Sequence, residues 1–191
     1  MPRIPPGQTL LIDADDTLWE NNIYFERAIA ARNGDSDLFD KLQKVAETST
    51  NPEFQVGALR LLAEFEDPAL VQRSLDYAVS GKVRNQDAAI QFAIALQIPA
   101  TRDLAWKYIQ SHWDKVQAQL TTEMGAVLVS STSGFCSADA RDDVKNFFSI
   151  HKVASSDMAL KHALERIDGC IELRSLQEPN LKQWIAVQPK P

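Results

Sequence analysis

The 191-residue chain is poor in the residues on which many familiar chemistries are built. It has two cysteines, Cys136 and Cys170, and three histidines, His112, His151 and His162. The cysteines stand at no metal-like spacing. A free cysteine usually behaves as a small buried hydrophobe, so neither a disulfide nor a ligand role is expected. No two histidines sit four apart, which excludes the paired imidazoles of a zinc-binding helix. Positive charge is also short: 20 Lys and Arg face 26 Asp and Glu, for a net charge of -6. An acidic chain with no Lys/Arg-rich run repels phosphate backbones and anionic membranes, which argues against nucleic acid and membrane surfaces as partners. No apolar run approaches the roughly 20 residues that a membrane helix needs. The opening MPRIPPGQTLLIDADD carries one Arg, a short apolar run and then acids. That is not the pattern of a signal peptide, and a cytoplasmic chain is expected.

What is present is an ordinary globular composition, 45% hydrophobic and 24% charged. The length suits one domain, or one domain and a small piece. Thr9 to Ile12 reads as a short buried strand running into acids, and a helix follows from about Asn22 to Ala31, stopped by Asn33-Gly34. Beyond Gly34 only helices are predicted. The first spans Asp37 to Ser49. Thr50 followed by Glu53, with Pro52 between them, forms a capping-box pattern and starts a second, with Phe54, Ala58, Leu61, Leu62 and Phe65 on its inward face. Asp67-Pro68 starts a third. Asn85 caps a fourth through Leu96 that is apolar nearly all round, so it should be the most buried. Thr101 caps a long helix to about Leu120 with Trp106, Ile109, Trp113 and Val116 on one stripe. Shorter helices span Glu123 to Val129 and Ser137 to Ser149. The longest runs from Ser156 to about Leu176, and Pro179 opens a last short one.

Short helices joined by tight turns must pack antiparallel, and each pair must stack on the next to bury both its apolar faces. The expected fold is therefore all-α, an antiparallel helix-pair α-solenoid of the HEAT or armadillo kind. It occupies residues 34–191, behind a non-matching strand and helix in residues 1–33.

That N-terminal piece ends its strand in Asp13-Ala14-Asp15-Asp16-Thr17. This resembles the first motif, D-x-D-x-[TV], of the haloacid dehalogenase superfamily of phosphohydrolases. The resemblance implies Asp13 as nucleophile, Asp15 as general acid/base, and Mg²⁺ held by both. The remainder of that machine is missing. Val127-Leu128-Val129-Ser130 imitates the second motif and Asp142-Asp143 the acidic pair. About a dozen residues separate them, too few for a crossover helix and another strand.

Three patches in the helical part carry a broader resemblance. They are Val83-Arg84-Asn85-Gln86-Asp87; Ala105-Trp106-Lys107-Tyr108-Ile109 with His112-Trp113-Asp114-Lys115-Val116; and Phe135-Cys136-Ser137 with Asp142 through Phe148. In this order and spacing, with the tail from Ala159 to Trp184, they resemble the C-terminal helical domain of zinc aminopeptidases related to aminopeptidase N and puromycin-sensitive aminopeptidase. The likeness implies a HEAT-like cover over a catalytic domain that carries HExxH, a distant Glu and zinc. None of those motifs occurs here, so no cofactor and no catalytic residue are expected on this chain. In a full-length relative Arg84 and Gln86 would line the peptide chamber; a helix cap and a salt bridge explain the same residues more plainly. The partners implied are a separate catalytic domain and peptide. Without them, an apolar face near residues 38 to 65 should stay open and favour self-association through that end. Two other functions are weighed beside this one: a Mg²⁺-dependent phosphohydrolase using Asp13 and Asp15, and an α-solenoid that binds other proteins.

Overall fold

The computed structural model describes residues 31–187. The expected N-terminal strand and helix lie outside these residues. Among the described residues there is no strand. The helices are α1 (Ser36–Thr48), α2 (Pro52–Leu62), α3 (Pro68–Ala78), α4 (Asn85–Gln97), α5 (Arg102–Ser111), α6 (Trp113–Ala118), α7 (Thr122–Ser131), α8 (Ala138–Ile150) and α9 (Asp157–Ala186), with a 3-10 turn at Thr132–Gly134.

The helix starts follow local chemistry, with some shifts from the sequence reading. The Asp35 side chain accepts from Leu38 N, Asp67 from Ala69 N and Leu70 N, Thr121 from Met124 N and Ser137 from Ala140 N. Each satisfies a backbone donor that the first turn leaves without a partner. At α2 the cap is Asn51, not Thr50: Pro52 already occupies the first helical position, so the residue before it must cap, and Asn51 Oδ1 accepts from Glu53 N at 2.9 Å. Asn85 is likewise inside α4, and Arg84 holds the cap position without a side-chain cap bond.

Two long-helix expectations are corrected. The helix drawn from Thr101 to Leu120 breaks at His112, where φ is -121° and ψ 27°. Ser111 Oγ donates to the carbonyl of Lys107 at 2.8 Å, and His112 Nδ1 lies 3.1 Å from that of Tyr108. These side chains compete for the last carbonyls of α5 and close its end. Conversely, the helix expected to stop near Leu176 continues through Pro179 to Ala186. Proline removes one backbone donor from the ladder. Here the surrounding turns are exposed, so water can serve the orphaned carbonyl. Lys182, from beyond the proline, and Arg174, from before it, bond Glu178 at 2.6 and 2.9 Å, and this holds the Glu178 carboxyl down at about 2.

The helices form two rows. One row holds α2, α4, α7 and α9 in succession; the other holds α1, α3, α5 and α8, and antiparallel pairs such as α1–α2, α3–α4 and α8–α9 join them. This is the expected solenoid. Within the second row, Arg73 of α3 pairs with Asp40 of α1 at 2.6 Å and lies over the Phe39 ring. Trp106 of α5 meets Phe147 and Phe148 of α8 edge-on or tilted. Such aromatic pairs add about 0.5–1.5 kcal/mol each beyond area burial. Helix α4 is buried on most of its surface, as its composition predicts, and touches α2, α3, α5 and α7. Phe54, by contrast, points outward and is 59% exposed.

The cysteine expectation is overturned. Cys136 and Cys170 form a disulfide, with Cα atoms 5.3 Å apart, inside the range such a bridge requires. The two positions are equidistant in sequence from Val153, at the turn between α8 and α9. An antiparallel pair therefore sets them opposite each other, which spacing alone does not reveal. Arg141 reaches Asp168 across the same pair with bonds of 2.9 and 3.2 Å.

That turn also packs on α7. A Cβ added at Gly125 would collide with Cγ1 of Val153, whose β-branched side chain has little freedom to swing away. Gly125→Ala should lower stability by about 1–3 kcal/mol. The measurement is the urea midpoint at constant slope; an unchanged midpoint would mean that the turn yields freely.

Candidate functional site

The two residues singled out for peptide lining sit at the start of α4. The loop Gly81–Arg84 turns on Gly81, whose φ of 79° suits glycine. It delivers Lys82 and Arg84 to a cleft of about 530 Å³ between the end of α1, α2 and the end of α3. The walls are Ala46, Glu47, Gln55, Leu59, Tyr77, Lys82, Val83, Arg84 and Asp87. Gln86 is exposed and does not line it. The structure thus brings Arg84 to a cleft and leaves Gln86 outside it.

The charges in the cleft come in pairs. Arg84 Nε donates to buried Asp87 Oδ2 at 2.8 Å, and Lys82 Nζ reaches Glu47 Oε1 at 3.4 Å. Gln43 Nε2 also donates to Glu47, at 3.2 Å, and holds its carboxyl below the usual range, with Lys82 and the Tyr77 hydroxyl adding to the effect. Burial, then the Glu47 charge and hydrogen bond, push the Tyr77 phenol up to about 12. The cleft therefore offers both donors and acceptors on a rigid corner. Its charged groups are already paired with one another across the cleft. Glu47, Tyr77 and Lys82 carry no local signal in the sequence: Glu47 and Lys82 stand 35 residues apart and meet only when α1 folds beside α3.

A second opening is apolar. A groove of about 480 Å³ runs between α1 and α2, lined chiefly by Ala31, Leu38, Leu42, Val45, Phe54 and Leu61. It lies at the residue range where an open face was expected.

The remaining candidates have structural partners. Trp106 and Trp113 are buried in the aromatic cluster, and His112 stacks on Tyr108 with ring centroids 4.2 Å apart. His151 packs against Trp113 and Phe147, and His162 Nδ1 lies 3.2 Å from Glu165. Among the described residues no group of three or more His, Cys, Asp or Glu side chains could hold a metal ion. Zinc therefore has no fitting site there. Val127–Ser130 lies in α7, not on a strand. Asp143 accepts from Trp106 Nε1 at 2.6 Å and Gln110 Nε2 at 2.9 Å, and Asp142 pairs with Arg141, so both are structural. Asp13 and Asp15 lie outside the described residues. None of the described helices is long and apolar enough to cross a membrane.

A two-row helical stack with a polar cleft at one corner and an apolar groove between α1 and α2 defines an α-solenoid module. The model of the ERAP1-like C-terminal domain family matches residues 25–169, and the chain belongs to that family. It is 29% identical over 140 residues to "Aminopeptidase 2, mitochondrial" of Saccharomyces cerevisiae, a match covering 72% of this chain and 15% of the relative. The alanine/arginine aminopeptidase of the same yeast is also 29% identical over 140 residues, with 72% and 16% covered. Aminopeptidase M1 of Arabidopsis thaliana is 28% identical over 163 residues, with 82% and 18% covered. The chain thus matches less than a fifth of the length of these relatives.

The Tyr77 environment predicts an alkaline weakness. Folding favours the neutral phenol, because the pKa rises from 10.0 to about 12 in the folded chain. The associated stability is complete below pH 10 and is lost as pH climbs from 10 to about 12. Tyr77→Phe should flatten this decline in urea-unfolding free energy measured across that window. An identical slope in wild type and variant would refute the reading.

Proposed function

We propose that the chain serves as the helical cover of a zinc aminopeptidase, packing against and closing over a catalytic domain that supplies HExxH and zinc from outside this chain. One observation carries the reading: the family match spans residues 25–169, and the α1–α2 end of this stack offers an apolar groove. A solenoid buries its apolar faces only by stacking neighbours, so an open groove marks where a further element belongs. In this reading the groove receives the upstream part of the larger enzyme. The cleft at Arg84 faces the peptide, with Gln86 on its approach. The boundary between the cover and the N-terminal piece, expected at 33/34, belongs in this reading near residue 25, where the family match begins.

The test is aminopeptidase activity of the purified chain with zinc and amino-acid anilides. No turnover above the blank is expected. Turnover that a chelator abolishes would overturn the reading. The sequence motif at Asp13 and Asp15 supports a second reading, a Mg²⁺-dependent phosphohydrolase. Hydrolysis of p-nitrophenyl phosphate lost on Asp13→Asn would favour it over the cover.

A cytoplasmic location belongs to the same proposal, and the Cys136–Cys170 bond puts it under test. Disulfides persist in oxidising compartments and are rare in the cytosol. Thiols should be counted in chain isolated without reductant after rapid alkylation. Two blocked thiols accord with the cytoplasm; none would move the chain to an oxidising compartment.

A further inference from the structure

The first helices alternate between the two rows: α1, α3 and α5 belong to one, α2 and α4 to the other. An element that precedes α1 therefore falls in the row of α2. That place is the apolar groove, whose walls include Leu38, Leu42, Val45, Phe54 and Leu61. The chain enters the described region at the groove itself. Ala31 and Arg32 are helical, and Ala31 is buried and lines the groove. Arg32 is tied to the C-terminal end of α2: its carbonyl accepts from Glu66 N at 3.4 Å, and its Nε lies 3.5 Å from Glu64. Only Asn33, Gly34 and Asp35 separate Arg32 from α1. So short a connection sets two helices antiparallel. A helix that ends at Arg32 and runs antiparallel to α1 passes back along the groove.

The sequence before Ala31 suits that place. Tyr24, Ala28 and Ala31 recur at steps of four and three, with Phe25 and Ile29 beside them, so one face is apolar, while Glu26 and Arg27 fall outside it. The family match begins at residue 25, so the residues just before Ala31 belong to the shared domain. We infer that residues 22–30 continue the helix that ends at Arg32 and fill the groove in cis, with Tyr24, Phe25, Ala28 and Ile29 on the face toward its walls. Covalent attachment at Ala31 keeps this segment at an effective concentration that no element free in solution matches. The cover reading gives the groove to the upstream part of the larger enzyme, and in this chain the first of that part is its own residues 22–30. The inference stands on the row order and the position of Ala31, independently of any catalytic domain.

The experiment is amide hydrogen exchange of the full chain, read by mass spectrometry on peptides that cover residues 22–30. In wild type their exchange should be at least about tenfold slower than in an unstructured peptide, and equally slow at low and high micromolar concentration. Phe54 and Val45 are 59% and 40% exposed in the groove, so Phe54→Glu and Val45→Glu should spare the fold, read as unchanged exchange in α4. Each should return residues 22–30 toward the unstructured rate. Ile29→Glu should do the same, and Glu26→Gln, off the apolar face, should not. Fast exchange of residues 22–30 in wild type overturns the inference and leaves the groove to a different protein. Protection that grows with concentration overturns it in favour of a second copy. Protection that survives both groove variants puts the segment elsewhere and overturns it as well. None of these results bears on the cover reading, which the anilide assay decides separately.

Discussion

The structure rests on one helix that cannot face water. Helix α4 presents Ala88, Ala89, Phe92, Ala93, Ala95 and Leu96 around most of its circumference, and all are buried. A helix apolar on every side is stable only when surrounded. Its neighbours α2, α3, α5 and α7 are arranged as that requirement dictates, and the small alanines let their backbones approach. The one large polar side chain in the middle, Gln91, is used as a tie: its Nε2 donates to the carbonyl of Leu59 at 3.1 Å, while its Oε1 is buried without a partner. That orphan costs on the order of 1–3 kcal/mol, which the surrounding apolar burial must offset.

Asp87 connects this core to the polar cleft. It is nearly fully buried in the first turn of α4, and its charge is met by Arg84 Nε. Acidic groups favour the positive end of a helix, and a buried one needs a paired cation. The same salt bridge that makes the helix start tolerable therefore holds Arg84 at the rim of the cleft. The capping reading and the peptide-lining reading of these residues do not exclude each other: the structural bond positions the group that recognition would use.

Much of the fold was legible because its signals are local. Asp67 and Ser137 act within three residues of themselves, and the Trp106–Trp113 stripe survives the break at His112, since the core needs the side chains more than an unbroken axis. The misses are of three kinds. One is competition at short range: Pro52 displaces the cap to Asn51, and His112 closes α5 early. Another is distance. The Cys136–Cys170 bond and the Glu47–Lys82 pair depend on which helices lie side by side, and composition holds no record of that. Pro179 failed as a stop signal for a third reason, because an exposed helix can hand its orphaned carbonyl to water.

The two ends of the stack are unlike in kind. At α1–α2 the apolar residues form a concavity between two helices, and a concavity needs a third element to fill it. At α9 the exposed apolar residues, Leu173, Leu176, Leu181, Trp184 and Ile185, lie along a single helix. The disulfide matters to this difference. It fastens α9 at Cys170, three residues before exposed Leu173, so the second half of the helix departs from a fixed point. A helix anchored there has less freedom to lose on meeting any partner than one free along its whole length.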